Sequence, residues 1–495
     1  CERSPLFVIF SERDSAVFRD IDFRYTDAQE EKLYAPELID KAFVDIENIL
    51  EEIEKPEKFL VSGPKGAGKS ALSSKLQMKS DSEWDLFVAA DELEQFEFNL
   101  LEKTGAEKGT SIGGAVTVWQ MLLAIRLIPL FLKDESIRES NQELIDFQES
   151  LKKYGLSSSE SLISIVQYTS RRGIFSNIKA AISELKGEKV DEEQFRIKDP
   201  AAVVEAIKSV LSKLKSANSK YYLVLDGLDH PIRHGRSNAG YIADLINGSR
   251  LLNNFFAEHG IAAKVIILVR DEILMIVPDP NLTKRINDNG ISLKWYDNSR
   301  EPLITSLFSV LEKRAALAGE SGTASELWHA WLPDKIHNRD SVGFVLDNTR
   351  YLPRDLISFF RELQKLRKNP PFSVNDVLSA LNNYSDWFQQ EISDALVGLI
   401  DENVRAEIPG MLTELGRDFE FSKLAEKLRD RGVESDSEAE TIAKELFRTS
   451  WIGNVWKTSQ GSDRYAWQHR KRSASFNRNH KILVHSGLWK SLNLV

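Results

Sequence analysis

An eight-residue motif at positions 63–70 constrains the fold of this chain more than any other feature. Its letters, GPKGAGKS, match the pattern G-x-x-x-x-G-K-[S/T]. In such a loop the backbone N–H groups converge on phosphate oxygens, the lysine reaches the β- and γ-phosphates, and the serine hydroxyl can ligate Mg²⁺. The following helix directs the positive end of its dipole at the same anion. The motif therefore predicts a site for ATP and Mg²⁺ at Gly63, Pro64, Lys65, Gly66, Ala67, Gly68, Lys69, Ser70 and Ala71.

The residues on either side of the loop have the pattern that the motif requires. Residues 59–61 form a short apolar run typical of a buried strand, and residues 71–78 have a helical pattern. Further apolar runs predict strands at 84–90, 221–225, 265–269 and 293–296. Short buried strands that alternate with helices are typical of a parallel sheet with helices on both faces. The predicted fold class is therefore α/β, with the parallel sheet of a P-loop NTPase.

The distance between motifs indicates the domain organisation. Asp226 follows Ser70 by 156 positions (226 − 70), whereas a strand–helix–strand unit needs only about 30 residues. This gap predicts a large helical insertion at about 91–216 inside an ATPase domain of residues 29–300. A helical lid is predicted at 301–395. Two helical patterns followed by a hairpin pattern predict a winged-helix domain at 396–495, and the role of residues 1–28 is left open.

The apolar run 221–225 ends in Asp226, which should lie at the carboxyl edge of the sheet. We expect Asp226 and Ser70 to be the two protein ligands of Mg²⁺. Many ATPases carry a glutamate directly after this aspartate to polarise water, but Gly227 stands there. Asp229 is then the nearest acid for catalysis, and the alternative is that Asp229 caps a turn or a helix.

Two arginines are candidates for contact with the phosphates. Arg270 ends the run 265–269 and is interpreted as a catalytic sensor of the γ-phosphate, with an ion pair to Asp271 or Glu272 as the alternative. Arg354 follows a proline that begins a helix, so it could reach the nucleotide from the lid. The alternative for Arg354 is an ordinary solvated residue in the first turn of a helix.

In this order, the segments GPKGAGKS, LVLDGLD, IILVR and RYLPRDL resemble the bacterial STAND and KAP-like P-loop ATPases, which are relatives of the AAA+ proteins. The C-terminal segment is similar to the tail of stand-alone ATPases found in genome-defence loci. The resemblance implies an ATP-hydrolysing, homo-oligomeric switch that acts with a separate effector protein in antiphage defence. Two alternatives remain open: a DNA-loading ATPase of the origin type, and a nucleotide-gated scaffold with little turnover.

The charge distribution bears on partners. The net charge of −10 makes the whole chain a poor general nucleic-acid coat. The tail after Asp463 is nevertheless basic with interleaved aromatic residues, a pattern typical of nucleic-acid contact. Acids on the second winged-helix helix argue against DNA, so we expect a protein surface to bind the tail; DNA and the acidic body of the chain are the alternatives. The basic residues are Arg464, Arg470, Lys471, Arg472, Arg478, Lys481 and Lys490.

Two features predict a cytoplasmic location without membrane contact. The only cysteine is Cys1, so no intramolecular disulfide can form, as is typical of a reducing compartment. The longest apolar run, 116–132, contains Gln120, Arg126 and Pro129. These residues favour a buried helix over a membrane span.

Overall fold

The structure, a computed structural model, describes residues 18–94, 96, 98, 101, 115–153, 161–165, 200–214, 218–228 and 238–494. Its contacts divide the chain into two compact units. Unit 1 comprises Cys1–Ile46, Lys65–Gly68 and Lys294–Val495, and unit 2 comprises Glu47–Pro64 and Lys69–Leu293. Asp229 and much of the predicted insertion lie outside the described residues. Helices and strands are numbered along the whole chain.

Unit 2 is built on a five-stranded parallel sheet. Its strands have the order β2-β3-β4-β1-β5, and every pairing between neighbours is parallel. Strands β3 and β4 are buried over most of their length, as expected for strands covered on both faces. The predicted α/β class with a parallel sheet is confirmed. The strands are β1 Leu60–Gly63, β2 Leu86–Glu92, β3 Lys220–Asp226, β4 Ala263–Arg270 and β5 Gly290–Ser292.

Two strand boundaries differ from the prediction. The second strand begins at Leu86, because Trp84 is 83% exposed and does not enter the sheet. The last strand, predicted at 293–296, is β5 at Gly290–Ser292. Its partner β1 ends at Gly63. After Ser292 the two strands share one further hydrogen bond, from the Leu293 N–H to the Ser62 carbonyl, and their pairing stops there. Leu293 is buried although it lies beyond the strand, and this explains why the sequence pattern at 293–296 is apolar.

Unit 2 also contains helices between its strands, and the most apolar of them is α5. This helix covers Val116–Phe131, and nearly all of its residues are buried, as predicted for the run 116–132. Arg126 forms an ion pair with Asp91 at 2.9 Å, which accounts for a charge in an apolar helix. No helix among the described residues has the length and apolarity needed to cross a membrane. The helices of unit 2 are α3 Ile49–Glu52, α4 Lys69–Ser82, α5, α6 Glu135–Ser140, α7 Gln142–Lys153, α8 Pro200–Leu211, α9 Ala239–Glu258, α10 Asp271–Leu274 and α11 Leu282–Asn289.

The described part of the N-terminal segment belongs to the core of unit 1. Phe18 is fully buried, with its ring centroid 5.1 Å from that of Trp331 and 5.2 Å from that of Phe372. The Arg314 guanidinium donates a hydrogen bond to the Asp22 carbonyl at 2.5 Å. The segment whose role the sequence left open therefore packs on unit 1 through aromatic contacts and through this hydrogen bond.

The middle of unit 1 is helical, and side-chain caps mark where its helices begin. Thr323 and Ser373 each form a capping box with the acid three residues later, at the starts of α13 and α16. The helices of this part are α1 Ala28–Tyr34, α2 Pro36–Asp40, α12 Ser306–Leu317, α13 Ala324–Trp331, α14 Ser341–Asp347, α15 Pro353–Lys365 and α16 Val374–Asp394, with the short hairpin β6 Lys335–Ile336 and β7 Arg339–Asp340.

The C-terminal part of unit 1 combines three helices with a four-stranded antiparallel sheet. The sheet has the order β10-β9-β11-β8. The predicted helices at 423–431 and 435–448 correspond to α18 and α19, and the predicted hairpin corresponds to β9 and β10. Strands β8 and β11 were not predicted. The elements are α17 Glu402–Leu415, β8 Asp418–Phe419, α18 Phe421–Arg429, α19 Asp436–Arg448, β9 Ile452–Lys457, β10 Asp463–Ala466 and β11 Lys481–Val484.

A buried histidine follows β11 in unit 1. His485 is 2% exposed, and its Nδ1 accepts a hydrogen bond from the Gly487 N–H at 3.1 Å. Burial lowers the pKa of His485 to about 3, and the positive charges of Arg470 and Arg350 act in the same direction. The side chain is therefore neutral in the folded protein over the whole range in which a free histidine titrates.

We expect the stability of the protein to fall between pH 7 and pH 5. Below pH about 6.5 the unfolded chain protonates His485 and the folded chain does not, so this contribution is lost as the pH falls. The loss should reach about 2 kcal/mol at pH 5. Urea unfolding at pH 5, 6 and 7 measures it, and His485→Asn, which retains an acceptor for Gly487, should flatten the pH dependence. An equally steep dependence in the variant would contradict this assignment.

Candidate functional site

Lys69 begins α4 in unit 2 and is 9% exposed. Its Nζ donates hydrogen bonds to the carbonyl oxygens of Gly63 at 2.8 Å and Pro64 at 2.9 Å. Both acceptors are neutral, and no carboxylate within the described ranges lies at hydrogen-bond distance from this ammonium. A buried cation without a hydrogen-bonded counter-ion is costly unless an anionic ligand joins it. The environment of Lys69 therefore suits a phosphate.

The charges around Lys69 come from the ends of two neighbouring strands. Burial lowers the pKa of Lys69, and the positive charge of Arg270 lowers it further. The negative charges that oppose this shift come from the carboxylates of Glu272, Asp226 and Asp271, in decreasing order of effect. The site thus combines two cations with several carboxylates, as expected where both phosphate and a metal ion bind.

Ser70 and Asp226 are brought together as predicted from their motifs. The Ser70 Oγ donates a hydrogen bond to Asp226 Oδ2 at 2.6 Å, and the Gly227 N–H donates to Asp226 Oδ1 at 2.8 Å. A hydroxyl and a carboxylate are hard oxygen donors of the kind that Mg²⁺ accepts, usually with water and phosphate oxygens completing the shell. This donor pair fits a magnesium ion bound together with a nucleotide.

Gly227 follows Asp226 with a backbone φ of +79°. A Cβ atom at this position would lie 3.0 Å from the Glu94 nitrogen and 3.3 Å from the Leu93 nitrogen, at the end of β2. Both the left-handed backbone and the close approach disfavour a side chain here. A glutamate at the position where many ATPases carry a catalytic glutamate would therefore be strained in this fold.

Arg270 ends β4, which lies between β1 and β3 in the sheet. In the parallel register Arg270 is level with Gly63, the residue that begins the loop. Arg270 therefore lies at the carboxyl edge of the sheet, between the loop and Asp226, as its sequence context predicted. Its sensor role and the alternative ion pair both stay predictions, and Asp229 lies outside the described ranges.

The loop residues Lys65–Gly68 are described within unit 1. Lys65 forms an ion pair with Glu391 of α16 at 3.0 Å, and the two side chains are 12% and 10% exposed. The Trp295 indole N–H donates to the Ala67 carbonyl at 2.8 Å. This part of the loop is therefore held both by an ion pair and by a hydrogen bond to backbone.

Arg354 lies against the same part of the loop. A Cβ atom at Gly66 would approach the Arg354 Cβ to 3.0 Å, and Gly66 has a φ of +92°, so only glycine fits. Arg354 donates from Nε to the Thr26 carbonyl at 3.0 Å and from Nη1 to Glu391 at 3.0 Å. Arg354 is thus not the solvated helix residue that the alternative interpretation described.

Glu391 was missed by the sequence analysis, although it joins two predicted site residues. Burial alone would raise its pKa, but the positive charges of Arg354, Lys65 and Arg350 lower it to about 2. Glu391 is therefore an anion at neutral pH, shared between the loop lysine and the arginine of α15. It lies in the middle of an ordinary amphipathic helix, so no local pattern could have identified it.

The basic tail uses part of its charge inside unit 1. Arg470 forms an ion pair with Asp347 at 3.0 Å, Arg478 lies 3.3 Å from Glu440, and Lys481 pairs with Asp418. Its aromatic residues are also partly internal, because Trp467 is buried and Phe476 packs on Phe421 and Phe447. The pattern that suggested nucleic-acid contact thus arises in part from packing within the C-terminal sheet.

Comparison with known proteins identifies one region of the chain. Residues 305–393 match the family described as the FunZ-associated C-terminal helical domain. This region contains α12 to α16, including Arg354 and Glu391, and nearly coincides with the predicted lid. The match locates a helical domain and does not identify a P-loop ATPase family.

A curated relative covers most of the chain. The transposon gamma-delta 80.3 kDa protein of Escherichia coli (strain K12) is 21% identical over 483 residues, which is 92% of this chain. The chain spans 65% of the length of that relative. The similarity extends over both units.

Proposed function

We propose that this protein binds ATP with Mg²⁺ at Lys69, Ser70 and Asp226, and that it hydrolyses the nucleotide. The observation that carries the proposal is the buried ammonium of Lys69 next to the pair of Ser70 and Asp226; among the described residues this ammonium donates to the carbonyl oxygens of Gly63 and Pro64. Next to it in unit 2, Ser70 and Asp226 supply two hard oxygen donors. ATP with Mg²⁺ fits both features, because the phosphates supply an anion for Lys69 and the metal ion binds the oxygen atoms of Ser70 and Asp226.

Each residue has a defined part in this proposal. Lys69 exchanges its bonds to the Gly63 and Pro64 carbonyls for bonds to β- and γ-phosphate oxygens. The α4 helix, 14 residues long, directs its N-terminal dipole at the same phosphates. Arg270, at the edge of the sheet, stabilises the charge that develops on the transferred phosphoryl group.

Regulation is proposed for the unit 1 residues that contact the loop. Arg354 and Lys65 share the carboxylate of Glu391, and Arg354 lies directly on Gly66. These contacts support a role for α15 and α16 in holding residues 65–68 of the loop. We propose that nucleotide state is communicated through these contacts, as in an ATP-dependent switch.

We further propose that the switch forms homo-oligomers in the cytoplasm and acts with a separate effector protein in antiphage defence. This part rests on the motif resemblance to STAND and KAP-like ATPases. A second candidate is an ATPase that acts on DNA, which the similarity to a transposon protein favours. The internal pairing of Arg470, Arg478 and Lys481 leaves less of the tail's charge for phosphates.

The test of ATP binding uses the metal ligand. Asp226→Asn is expected to weaken Mg²⁺-dependent ATP binding about tenfold or more, because it removes a charged ligand from the metal. Calorimetric titration with ATP, with Mg²⁺ and with EDTA, measures the loss. Asp288→Asn, an exposed aspartate of α11, is the matched control and should bind as the unchanged protein does. Failure of the unchanged protein to bind ATP would refute the proposal.

The effector and DNA candidates differ in what stimulates turnover. ATP hydrolysis that rises on addition of duplex DNA supports the DNA-acting ATPase. A hydrolysis rate that is unchanged by DNA but rises with a co-purifying protein supports the switch. DNA affinity measured between 50 and 200 mM salt adds a second readout, because phosphate contacts produce a steep loss of affinity with salt.

A further inference from the structure

Hydrolysis of ATP requires a group that orients the attacking water and accepts its proton. In many ATPases a glutamate after the metal-binding aspartate does this, but here Gly227 occupies the position. Its φ of +79° and the approach of the Leu93 and Glu94 nitrogens disfavour a side chain. If this site hydrolyses ATP, a carboxylate at another position supplies this function.

Glu272 is a candidate for this carboxylate. It lies in α10, which begins directly after Arg270 at the end of β4, so it is carried by the strand that separates the loop strand from the Asp226 strand. The Glu272 Oε2 atom is inaccessible to solvent and has no hydrogen-bond partner. A buried carboxylate oxygen without a partner is costly. This atom can accept a hydrogen bond from a water molecule that enters with a ligand.

The electrostatics connect Glu272 with the phosphate site. Among the carboxylates that act on Lys69, Glu272 has the largest effect, ahead of Asp226. Burial raises the pKa of Glu272 and the charge of Asp271 adds to the rise, whereas Arg270 and Lys69 oppose it. A carboxylate in such a place holds a transferred proton better than an exposed one does.

We propose that Glu272 is the catalytic carboxylate that orients and deprotonates the attacking water, and this inference rests on the proposed ATP hydrolysis. The water oxygen forms a bond to the γ-phosphorus while the bond from that phosphorus to the β–γ bridging oxygen breaks. The bridging oxygen leaves on ADP with the electron pair. The water proton passes to a Glu272 carboxylate oxygen and then to the released phosphate. Asp226 retains the metal-binding role only.

The test compares Glu272→Gln with the unchanged protein in single-turnover hydrolysis and in ATP titration. Glutamine keeps the size and one oxygen of the side chain but accepts no proton. Hydrolysis should fall about 10²- to 10⁴-fold, the usual contribution of general base catalysis, while ATP affinity stays within about threefold. The rate of the unchanged protein should rise with pH as Glu272 ionises, and the residual rate of the variant should lack this rise. Glu258→Gln, at the exposed end of α9, is the matched control.

Several results would overturn the assignment. Full hydrolysis by Glu272→Gln, with loss of hydrolysis in Asp229→Asn, would transfer the role to Asp229 and leave ATP binding and hydrolysis intact as the proposed function. An equal loss of ATP affinity and rate in Glu272→Gln would make the residue structural. An unchanged protein that binds ATP but never hydrolyses it would refute both the role of Glu272 and the hydrolytic part of the proposed function.

Discussion

Lys69→Ala is expected to lower the affinity for ATP roughly 30-fold or more, with hydrolysis lost at ordinary ATP concentrations. Removing one partner of a buried charged hydrogen bond costs about 2–5 kcal/mol, and tenfold in affinity corresponds to about 1.4 kcal/mol. Lys69 is a buried cation of unit 2 beside Ser70, and among the described residues no carboxylate lies at hydrogen-bond distance from it, so an anionic ligand at this site depends on it directly. Titration of the variant with ATP and Mg²⁺ measures the loss.

The fold should survive this substitution. Burial disfavours the charged form of Lys69, and its Nζ donates hydrogen bonds to two loop carbonyls. Alanine removes these hydrogen bonds, but it also removes a buried charge that is costly to the folded state. Lys79→Ala, on the same helix but in a partly exposed pair with Glu83 at 3.5 Å, is the matched control and should bind ATP normally. Normal ATP affinity in a folded Lys69→Ala protein would mean that the nucleotide, if any, binds elsewhere.

Asp355→Ala is expected to lower the free energy of unfolding by about 3–5 kcal/mol, because it removes the buried carboxylate that is hydrogen-bonded to Arg350 and leaves only the more distant Glu391, at 3.9 Å, as a described charge partner. The two side chains are 0% and 5% exposed. Arg350 donates to Asp355 from Nε at 3.0 Å and from Nη2 at 2.6 Å, and its backbone N–H donates at 2.8 Å. Burial opposes the charge on Arg350, but the Asp355 carboxylate raises its pKa above the ordinary value. Urea unfolding measures the change.

The double variant Arg350→Met with Asp355→Leu should recover much of this stability, since apolar residues of similar size replace a buried pair at little cost. The exposed pair of Lys152 and Glu149, 3.0 Å apart, provides the contrast, and Glu149→Gln should cost at most about 1 kcal/mol. A loss in Asp355→Ala no larger than in Glu149→Gln would show that the buried pair contributes little to the stability of unit 1.

Much of unit 2 follows from short stretches of sequence. The strand runs at 221–225 and 265–269 are continuous apolar segments, and a parallel strand covered on both faces has this pattern wherever it occurs. The loop motif and the aspartate after β3 are also local. Because neighbouring parallel strands end at the same edge of the sheet, the positions of the strands were enough to expect Ser70 near Asp226. In the structure the Ser70 Oγ lies 2.6 Å from Asp226 Oδ2.

The RYLPRDL segment shows where local reasoning stops. The sequence singled out Arg354, which follows the proline that begins a helix, and gave no role to Arg350. In the structure Arg350 is buried against Asp355 five positions later, and Arg354 contacts Gly66 and Glu391. The separation of Arg354 from Gly66 along the chain is 288 positions (354 − 66), so only the folded chain shows which residues Arg354 contacts.

The sequence by itself determined which residue types end the strands and form the loop, because those patterns are set by hydrogen bonding and burial within a few residues. Only the tertiary structure decided that a side chain at Gly227 would meet the Leu93 and Glu94 nitrogens, that Glu391 joins Lys65 to Arg354, and that the tail supplies strand β11 and packs the half-buried Phe476 on Phe421 and Phe447. Each of these depends on contact between segments far apart in the chain. Excluded volume, desolvation and ion pairing act between residues that are close in space, and the order of residues along the chain does not show which residues these are.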